Sequence, residues 1–225
     1  MIRRPPRSTL SSSSAASDVY KRQDYNDANY IDALHQLTKL RDDGKISHLA
    51  LTNFDTERIQ IMVDNGIQLI SNQVQYSIID QRPNVKMASF CKNHDMKILA
   101  YGTLLGGLLT EKYLGVPKPT QTDLDTYSLQ KYMNMIDAWG GWGLFQELLV
   151  VLDEIAKKHN VQIPNVATRF ILDRPAVAGT IIGSRLGLSD HIEQNSKTYA
   201  CVDSYLFASF FILKFLGKFF TIKYK

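Results

Sequence analysis

Apolar and polar positions along residues 24–198 switch repeatedly between a period of two and a period of three to four. Short apolar runs predict buried strands at 46–52, 67–74, 96–101 and 177–182. Amphipathic segments with helix start and stop signals predict helices at 30–41, 55–65, 83–94, 144–159 and from Pro164 onward, and Ser189 or Asp190 is predicted to cap a last helix. The segment 102–143 between them is rich in turn formers.

This alternation of strands and helices predicts βαβ crossovers and a parallel sheet. A complete (β/α)8 barrel has eight such units, whereas four are visible here. The predicted fold is therefore α/β, either an open sheet or a partial (β/α)8 TIM barrel with four βα units. Trp139 and Trp142 are expected in a loop after the third strand, where they would line a substrate pocket or simply pack.

The two ends of the chain do not continue the pattern. Residues 1–23 are rich in Ser and Arg and resemble translated sequencing-adapter sequence, so we expect a non-native or disordered leader, with an organelle transit peptide as the alternative. Residues 199–225 form an unrelated apolar and basic tail, a membrane-surface helix being its alternative. The apolar run 206–220 is too short and too charged to predict a membrane span. The predicted domain is 24–198.

Composition and charge narrow the function classes. The chain has 225 residues, 44% hydrophobic and 21% charged, which is typical of a globular protein. The net charge of +4 comes from the ends, because residues 24–198 sum to −3 and offer no basic face for nucleic acid. Cys91 and Cys201 are too few for a disulfide framework, and Cys91 with His94 lacks further metal ligands. We expect a cytoplasmic protein, with an organelle as the alternative.

Polar groups and glycines follow each predicted strand at its carboxyl end, where parallel α/β proteins carry their function. Asn53 and Gln73 offer amides that suit a carboxamide, and Tyr101 offers a flat face for stacking. Glycines after Tyr101 allow close approach of a ligand. The run 183–185, Gly-Ser-Arg before a predicted helix, is typical of a phosphate site. These groups together predict an extended dinucleotide, and ordinary turn chemistry is the alternative at any single position.

Five ordered segments resemble the aldo-keto reductase family: GKISHLALTNFD, ISNQVQYSIID, ILAYGTLLGGLLTEKYL, VATRFILDRPAVAGTIIGSR and HIEQN. The resemblance covers about residues 24–198 and the C-terminal half of that family's barrel. It implies an NAD(P)-dependent oxidoreductase that transfers hydride to a small aldehyde or ketone.

The resemblance also implies a set of residues along an extended NADP, with NAD as the alternative. Two extra residues precede His191, which weakens the preference for NADP. From nicotinamide to adenine the set is Thr52, Asn53 and Gln73 at the carboxamide, Tyr101 stacked on the ring, Gly102, Thr103 and Leu104 at the pyrophosphate, Gly183, Ser184 and Arg185 at the adenosine phosphate, His191 near the 2′-phosphate, and Gln194 and Asn195 at adenine.

The family's catalytic Tyr, Lys, Asp and His have no counterparts at matching positions in this sequence. In the family the Tyr donates a proton to the carbonyl, and the Lys and Asp tune its acidity. The resemblance therefore implies an inactive fragment that retains the cofactor-binding half. A non-catalytic nucleotide-binding regulatory subunit, of the channel β-subunit type, is the alternative. Half a barrel would have two open sheet edges, so we expect the isolated chain to be poorly soluble.

Overall fold

One parallel sheet organises the molecule. The computed structural model describes residues 29–183 and 191–200. The sheet has four strands in the order β1-β2-β3-β4, all parallel to their neighbours. The strands are β1 (Ala50–Thr52), β2 (Ser71–Gln75), β3 (Lys97–Tyr101) and β4 (Val177–Ile181). The predicted α/β fold with four βα units is confirmed.

The register of the sheet aligns the strand ends. Thr52 lies opposite Gln73, and Gln75 lies opposite Tyr101. Tyr101 in turn lies opposite Ile181 on β4. Because all strands run the same way, their carboxyl ends form a single edge of the sheet. The residues predicted at those ends are therefore neighbours in space.

Helices fill the connections between the strands. One helix joins β1 to β2, two join β2 to β3, and three join β3 to β4. The helices in the described ranges are α1 (Tyr30–Asp42), α2 (Thr56–Asp64), α3 (Arg82–Val85), α4 (Met87–Asn93), α5 (Tyr127–Trp139), α6 (Gly141–Lys158), α7 (Ile163–Leu172) and α8 (Ile192–Ser196).

The main core lies between the sheet and these helices. Alternate strand positions such as Leu51, Val74 and Ile98 are buried there, as the period of two requires. The intervening positions on the other face, including Gln73 and Tyr101, are only half-buried. One face of the sheet therefore supplies stability, and the other carries polar groups to the strand ends.

Several helix predictions are confirmed by local chemistry. The Asp55 side chain accepts a hydrogen bond from the backbone N of Arg58 at 2.8 Å, which caps α2 as predicted. Val166, Phe170 and Ile171 on α7 are buried, also as predicted. Strong amphipathic patterns with clear caps thus specify these two helices.

The segment 102–143 is not mainly loop, as it was expected to be. It contains α5, whose first turn is capped by Thr126 Oγ1 accepting from Leu129 N at 3.2 Å. The helix α6 also starts earlier than predicted, at Gly141. Trp139 and Trp142 consequently belong to helices. The glycines around them suggested a loop, but Gly140 alone, with φ of 155°, makes the break between the two helices.

Three boundaries also differ from the prediction. The strand expected from residue 46 starts at Ala50, since the amide of Ile46 still bonds to the carbonyl of Leu40 at the end of α1. The helix expected over 83–94 breaks at Lys86 into α3 and α4. The N-cap of α8 is His191, with a left-handed φ of 50°. The predicted caps at 189 and 190, the leader and nearly all of the tail lie outside the described residues.

Within the described residues, no helix is both long and apolar enough to cross a membrane.

Candidate functional site

Two side chains from strands at different positions in the sheet meet at its carboxyl edge. The Tyr101 hydroxyl donates a hydrogen bond to Oδ1 of Asn53 at 2.9 Å. Asn53 follows β1 with a φ of 59°, a left-handed conformation that Asn tolerates better than most residues. Its backbone N donates to the carbonyl of Gln73 at 2.9 Å, so the chain keeps the sheet register through this turn.

The residues predicted at the nicotinamide end are brought together. Thr52 and Gln73 are register partners on the same half-buried face. The strand that carries Gln73, β2, lies between the strands that lead to Asn53 and Tyr101. A hydroxyl, two amides and a phenol ring therefore share one edge of the sheet. These groups can donate to and accept from a planar amide ligand.

The glycine after Tyr101 makes room for a protein side chain. Gly102 has a φ of 69°, and a Cβ there would collide with the hydroxyl of Tyr132 on α5. A Cβ on Gly106, which has a φ of 68°, would come within 3.0 Å of Ser128 Oγ. The close approach expected of a ligand at Gly102 is thus already used by α5.

The next two predicted residues direct their side chains inward. Thr103 is buried, and its hydroxyl donates to the carbonyl of Tyr76 at 3.4 Å. Leu104 is half-buried against the core. Any contact of these residues with a phosphate group would have to come from their backbone.

A buried carboxylate, which sequence reasoning missed, braces the edge beside Tyr101. Asp80 accepts from Arg82 Nε at Oδ1 and from Arg82 Nη2 at Oδ2, both at 2.7 Å. Gln75 Nε2 donates to Oδ2 at 2.8 Å. The Asp80 side chain is only 2% exposed, and the bidentate pair compensates its charge. Its one signal in the sequence is the Asp-Gln-Arg run after the second strand.

A lysine on the unpredicted helix α5 joins the site. Lys131 Nζ lies 5.6 Å from the ring centroid of Tyr101 and 5.1 Å from that of Tyr132. Burial and the nearby Arg82 guanidinium lower the pKa of Lys131, while Asp80 opposes the shift. Burial raises the pKa of Tyr132 to about 12. The lysine was missed because α5 itself was missed.

The predicted adenine end is anchored from α7. Gly183, His191 and Gln194 are exposed and Asn195 is half-buried, whereas Ser184 and Arg185 lie outside the described residues. The buried side chain of Asn165 donates to the Gln194 carbonyl at 2.7 Å and to Thr198 Oγ1 at 3.1 Å. Asn165 therefore positions the segment 191–200, a role that sequence reasoning did not find.

Trp142 makes contacts that fix a loop. Its Nε1 donates to the carbonyl of Val116 at 3.0 Å, and its ring meets Tyr113 edge-on at 6.3 Å. Gln146 adds a second clamp, donating to the Tyr113 carbonyl at 2.8 Å and accepting from Gly115 N at 2.7 Å. These contacts give Trp142 a packing role.

The pair Cys91 and His94 lies outside the site. Cys91 is fully buried, and burial raises the pKa of its thiol to about 11. His94 stacks on Phe90 with ring centroids 4.3 Å apart. Across 29–183 and 191–200, no group of three or more His, Cys, Asp or Glu gathers as metal ligands would.

The fold and the strand-end cluster define an α/β protein of the parallel-barrel class, in which functional groups gather at the carboxyl ends of the strands. The chain belongs to the aldo/keto reductase family, because the model of that family matches residues 11–204. The resemblance found in the sequence is confirmed.

Curated relatives agree with this assignment. The chain is 34% identical over 131 residues to flagellar radial spoke protein 5 of Chlamydomonas reinhardtii, covering 57% of this chain and 25% of that protein. It is 25% identical to protein tas of Escherichia coli (68% and 44% covered) and 29% identical to an aldo-keto reductase of Babesia bovis (74% and 60% covered). The chain thus spans about a quarter to three fifths of the length of these relatives.

Solved structures share the fold. An aldo/keto reductase from Klebsiella pneumoniae, in complex with NADP and acetate, superimposes with a TM-score of 0.54 at 18% identity, covering 77% of this chain and 50% of that one. The thermostable aldo-keto reductase Tm1743, in complex with epalrestat, gives 0.52 at 20% identity, with 75% and 48% covered. At these identities the likeness concerns the fold alone.

Proposed function

We propose that the chain carries the cofactor-binding half of an NAD(P)H-dependent aldo-keto reductase, which transfers hydride to a small aldehyde or ketone. The observation that carries this proposal is the 2.9 Å hydrogen bond from Tyr101 to Asn53, with Gln73 on the strand between them. NADP is the proposed cofactor and NAD its alternative. The small carbonyl substrate belongs to the whole protein.

The residues at the nicotinamide end fit that group chemically. A carboxamide both donates and accepts, as do the amides of Asn53 and Gln73. The Tyr101 hydroxyl orients the Asn53 amide, and its ring offers a face for stacking. The cofactor, when bound, supplies the hydride, and the protein supplies orientation.

The remaining proposed contacts follow the extended dinucleotide. Gly102, Thr103 and Leu104 would meet the pyrophosphate through their backbone. The run 183–185 would hold the adenosine phosphate. His191 would lie near a 2′-phosphate, and Gln194 and Asn195 would hold adenine on the segment that Asn165 anchors.

We also propose that this chain does not reduce carbonyls by itself. No residue matches the family's Tyr, Lys, Asp or His in the printed sequence. Burial raises the pKa of both Tyr76 and Tyr132 to about 12, whereas a general acid works best with a pKa near the operating pH. Neither tyrosine therefore has the acidity that a substitute proton donor requires.

The test is NADPH binding by the purified 225-residue chain, followed by fluorescence, and then NADPH oxidation in the presence of an aromatic aldehyde. We expect binding without turnover. Tyr101→Ala should weaken binding at least about tenfold, while Tyr127→Ala, a change at a tyrosine that is 83% exposed, should not. Absence of binding would refute the cofactor assignment, and turnover would refute the missing acid.

A second candidate is a non-catalytic, nucleotide-binding subunit of a larger assembly. The relative that favours it is the flagellar radial spoke protein, at 34% identity. The two candidates differ in the sequence that would accompany this one in the whole protein. An intact Asp, Tyr, Lys and His set there, with aldehyde reduction by that protein, would favour the enzyme.

A further inference from the structure

Lys131 places an unpaired positive charge at the carboxyl edge of the sheet. Its ammonium lies between two aromatic rings, 5.6 Å from the centroid of Tyr101 and 5.1 Å from that of Tyr132. The side chain is half-buried. In the part of the chain that the structure describes, no carboxylate forms an ion pair with it.

The nearest acidic group is already committed elsewhere. Both oxygens of Asp80 are bonded to Arg82, and one of them also accepts from Gln75. The Asp80–Arg82 pair is therefore neutral as a unit. Adding Lys131 leaves this cluster with a net charge of one positive unit.

The aromatic rings compensate that charge only in part. A cation over a ring gains roughly 0.5–2 kcal/mol, less than a charge-assisted hydrogen bond offers together with a full counter-charge. Burial and the Arg82 guanidinium also lower the pKa of Lys131, which reflects the same lack of compensation. An oxyanion at this position would supply the missing charge and accept hydrogen bonds.

We propose that Lys131 is an anion-binding residue whose ammonium holds a phosphate or carboxylate oxygen beside the ring of Tyr101. The identity of the ligand rests on the proposed function: the anion is either a phosphate of the dinucleotide or a carboxylate carried by the carbonyl substrate. A carboxylate would make Lys131 a specificity residue that selects acidic aldehydes or ketones. A phosphate would make it a further cofactor contact from α5.

The experiment measures binding of inorganic pyrophosphate, glyoxylate and NADPH to the full chain by calorimetry. Three variants are compared with the unmodified chain. Lys131→Met removes the charge at similar length, Lys131→Arg retains the charge, and Lys92→Met removes an exposed charge on α4. Far-UV circular dichroism and thermal unfolding confirm that each variant folds.

We expect Lys131→Met to weaken one class of anion about tenfold, Lys131→Arg to retain most of the affinity, and Lys92→Met to change nothing. Weaker pyrophosphate and NADPH binding would identify the phosphate source. Weaker glyoxylate binding with unchanged NADPH binding would identify the carboxylate source.

Three results would overturn the role of Lys131: no anion weakened by Lys131→Met, an equal loss in Lys131→Arg, or an equal loss in Lys92→Met. Anion binding that depends on Lys131 in a chain that does not bind NADPH would support this site and refute the proposed function. NADPH binding with no effect of Lys131→Met would do the reverse. A chain that binds none of the three ligands would refute both.

Discussion

Tyr76 keeps a hydroxyl in the core without a hydrogen-bond partner in the described residues. The side chain is fully buried, and burial raises its pKa to about 12 from the ordinary value of 10. The folded state therefore holds this proton more tightly than the unfolded state does. The resulting stability is fully present below pH 10 and is lost as the pH rises through 10 toward 12.

Replacing Tyr76 by Phe removes this pH dependence. We expect Tyr76→Phe to change the free energy of unfolding at neutral pH by no more than about 1 kcal/mol, since it removes an unsatisfied polar group. Between pH 10 and 12 its stability should fall less steeply than that of the unmodified chain. Urea unfolding at several pH values measures both effects. Tyr127→Phe, at an exposed tyrosine, should leave the steep fall in place.

Gly102 tests the close approach of α5 to the strand end. Gly102→Ala combines left-handed strain of about 1 kcal/mol with a collision at the Tyr132 hydroxyl, so we expect a loss of about 2–4 kcal/mol in unfolding free energy. Gly44→Ala is the matched control, because Gly44 has a φ of 72° and an open surrounding. It should lose only the strain. Equal losses in urea titrations of the two variants would show that Tyr132 does not restrict Gly102.

Single residues were predictable where they follow a strand directly. Asn53, Gln73 and Tyr101 end apolar runs, and parallel strands bring such ends together. Lys131 and Asn165 act from helices, and their partners lie 29 or more residues away in the chain. Local pattern carries no information about contacts of that kind, so these two could not be assigned.

At the scale of elements, α7 depends on a group from another segment. Glu111 Oε1 accepts a hydrogen bond from Ile163 N at 2.6 Å, at the positive end of the helix. The side chains of Gln162 and Asn165 complete a capping box there. The loop after β3 and the start of α7 are therefore stabilised together.

Removing this carboxylate should weaken α7. We expect Glu111→Ala to lower the unfolding free energy by about 1–2 kcal/mol and Glu111→Gln to lower it less, since the amide oxygen still accepts. Chemical denaturation followed by circular dichroism measures both. Glu147→Ala, at an exposed position on α6, is the control. A loss in that control as large as in Glu111→Ala would contradict a specific role for Glu111.

Whether an element could be predicted depended on how much of its pattern is apolar. The helix α7 buries seven of its ten residues and starts with Pro164 near its N-terminus, so its pattern is clear. The helix α5 buries only Tyr132, Met133 and Ile136. Its remaining positions are polar and lie among turn formers, which is why it was taken for part of a loop.

At the scale of the whole molecule, the described sheet has β1 and β4 as its outer strands. Ile181 on β4 is 45% exposed. Exposed apolar residues on outer strands promote association between chains, and a charged residue there opposes it. We therefore expect self-association of the 225-residue chain through this strand.

A lysine at Ile181 should reduce this association. We expect Ile181→Lys to increase the monomer fraction in size-exclusion chromatography with light scattering. Val150→Lys introduces the same charge at a comparably exposed position on α6 and should have a smaller effect. Equal effects of the two variants would mean that net charge, rather than the strand, controls solubility.

The side chain of Asn165 has a consequence for how this scaffold can evolve. It tethers the segment 191–200 to the first turn of α7, and Glu111 tethers the loop after β3 to that same turn. Both attachments are independent of how many residues precede His191. Insertions or deletions ahead of His191 can therefore accumulate among descendants while the two tethered pieces keep their mutual spacing.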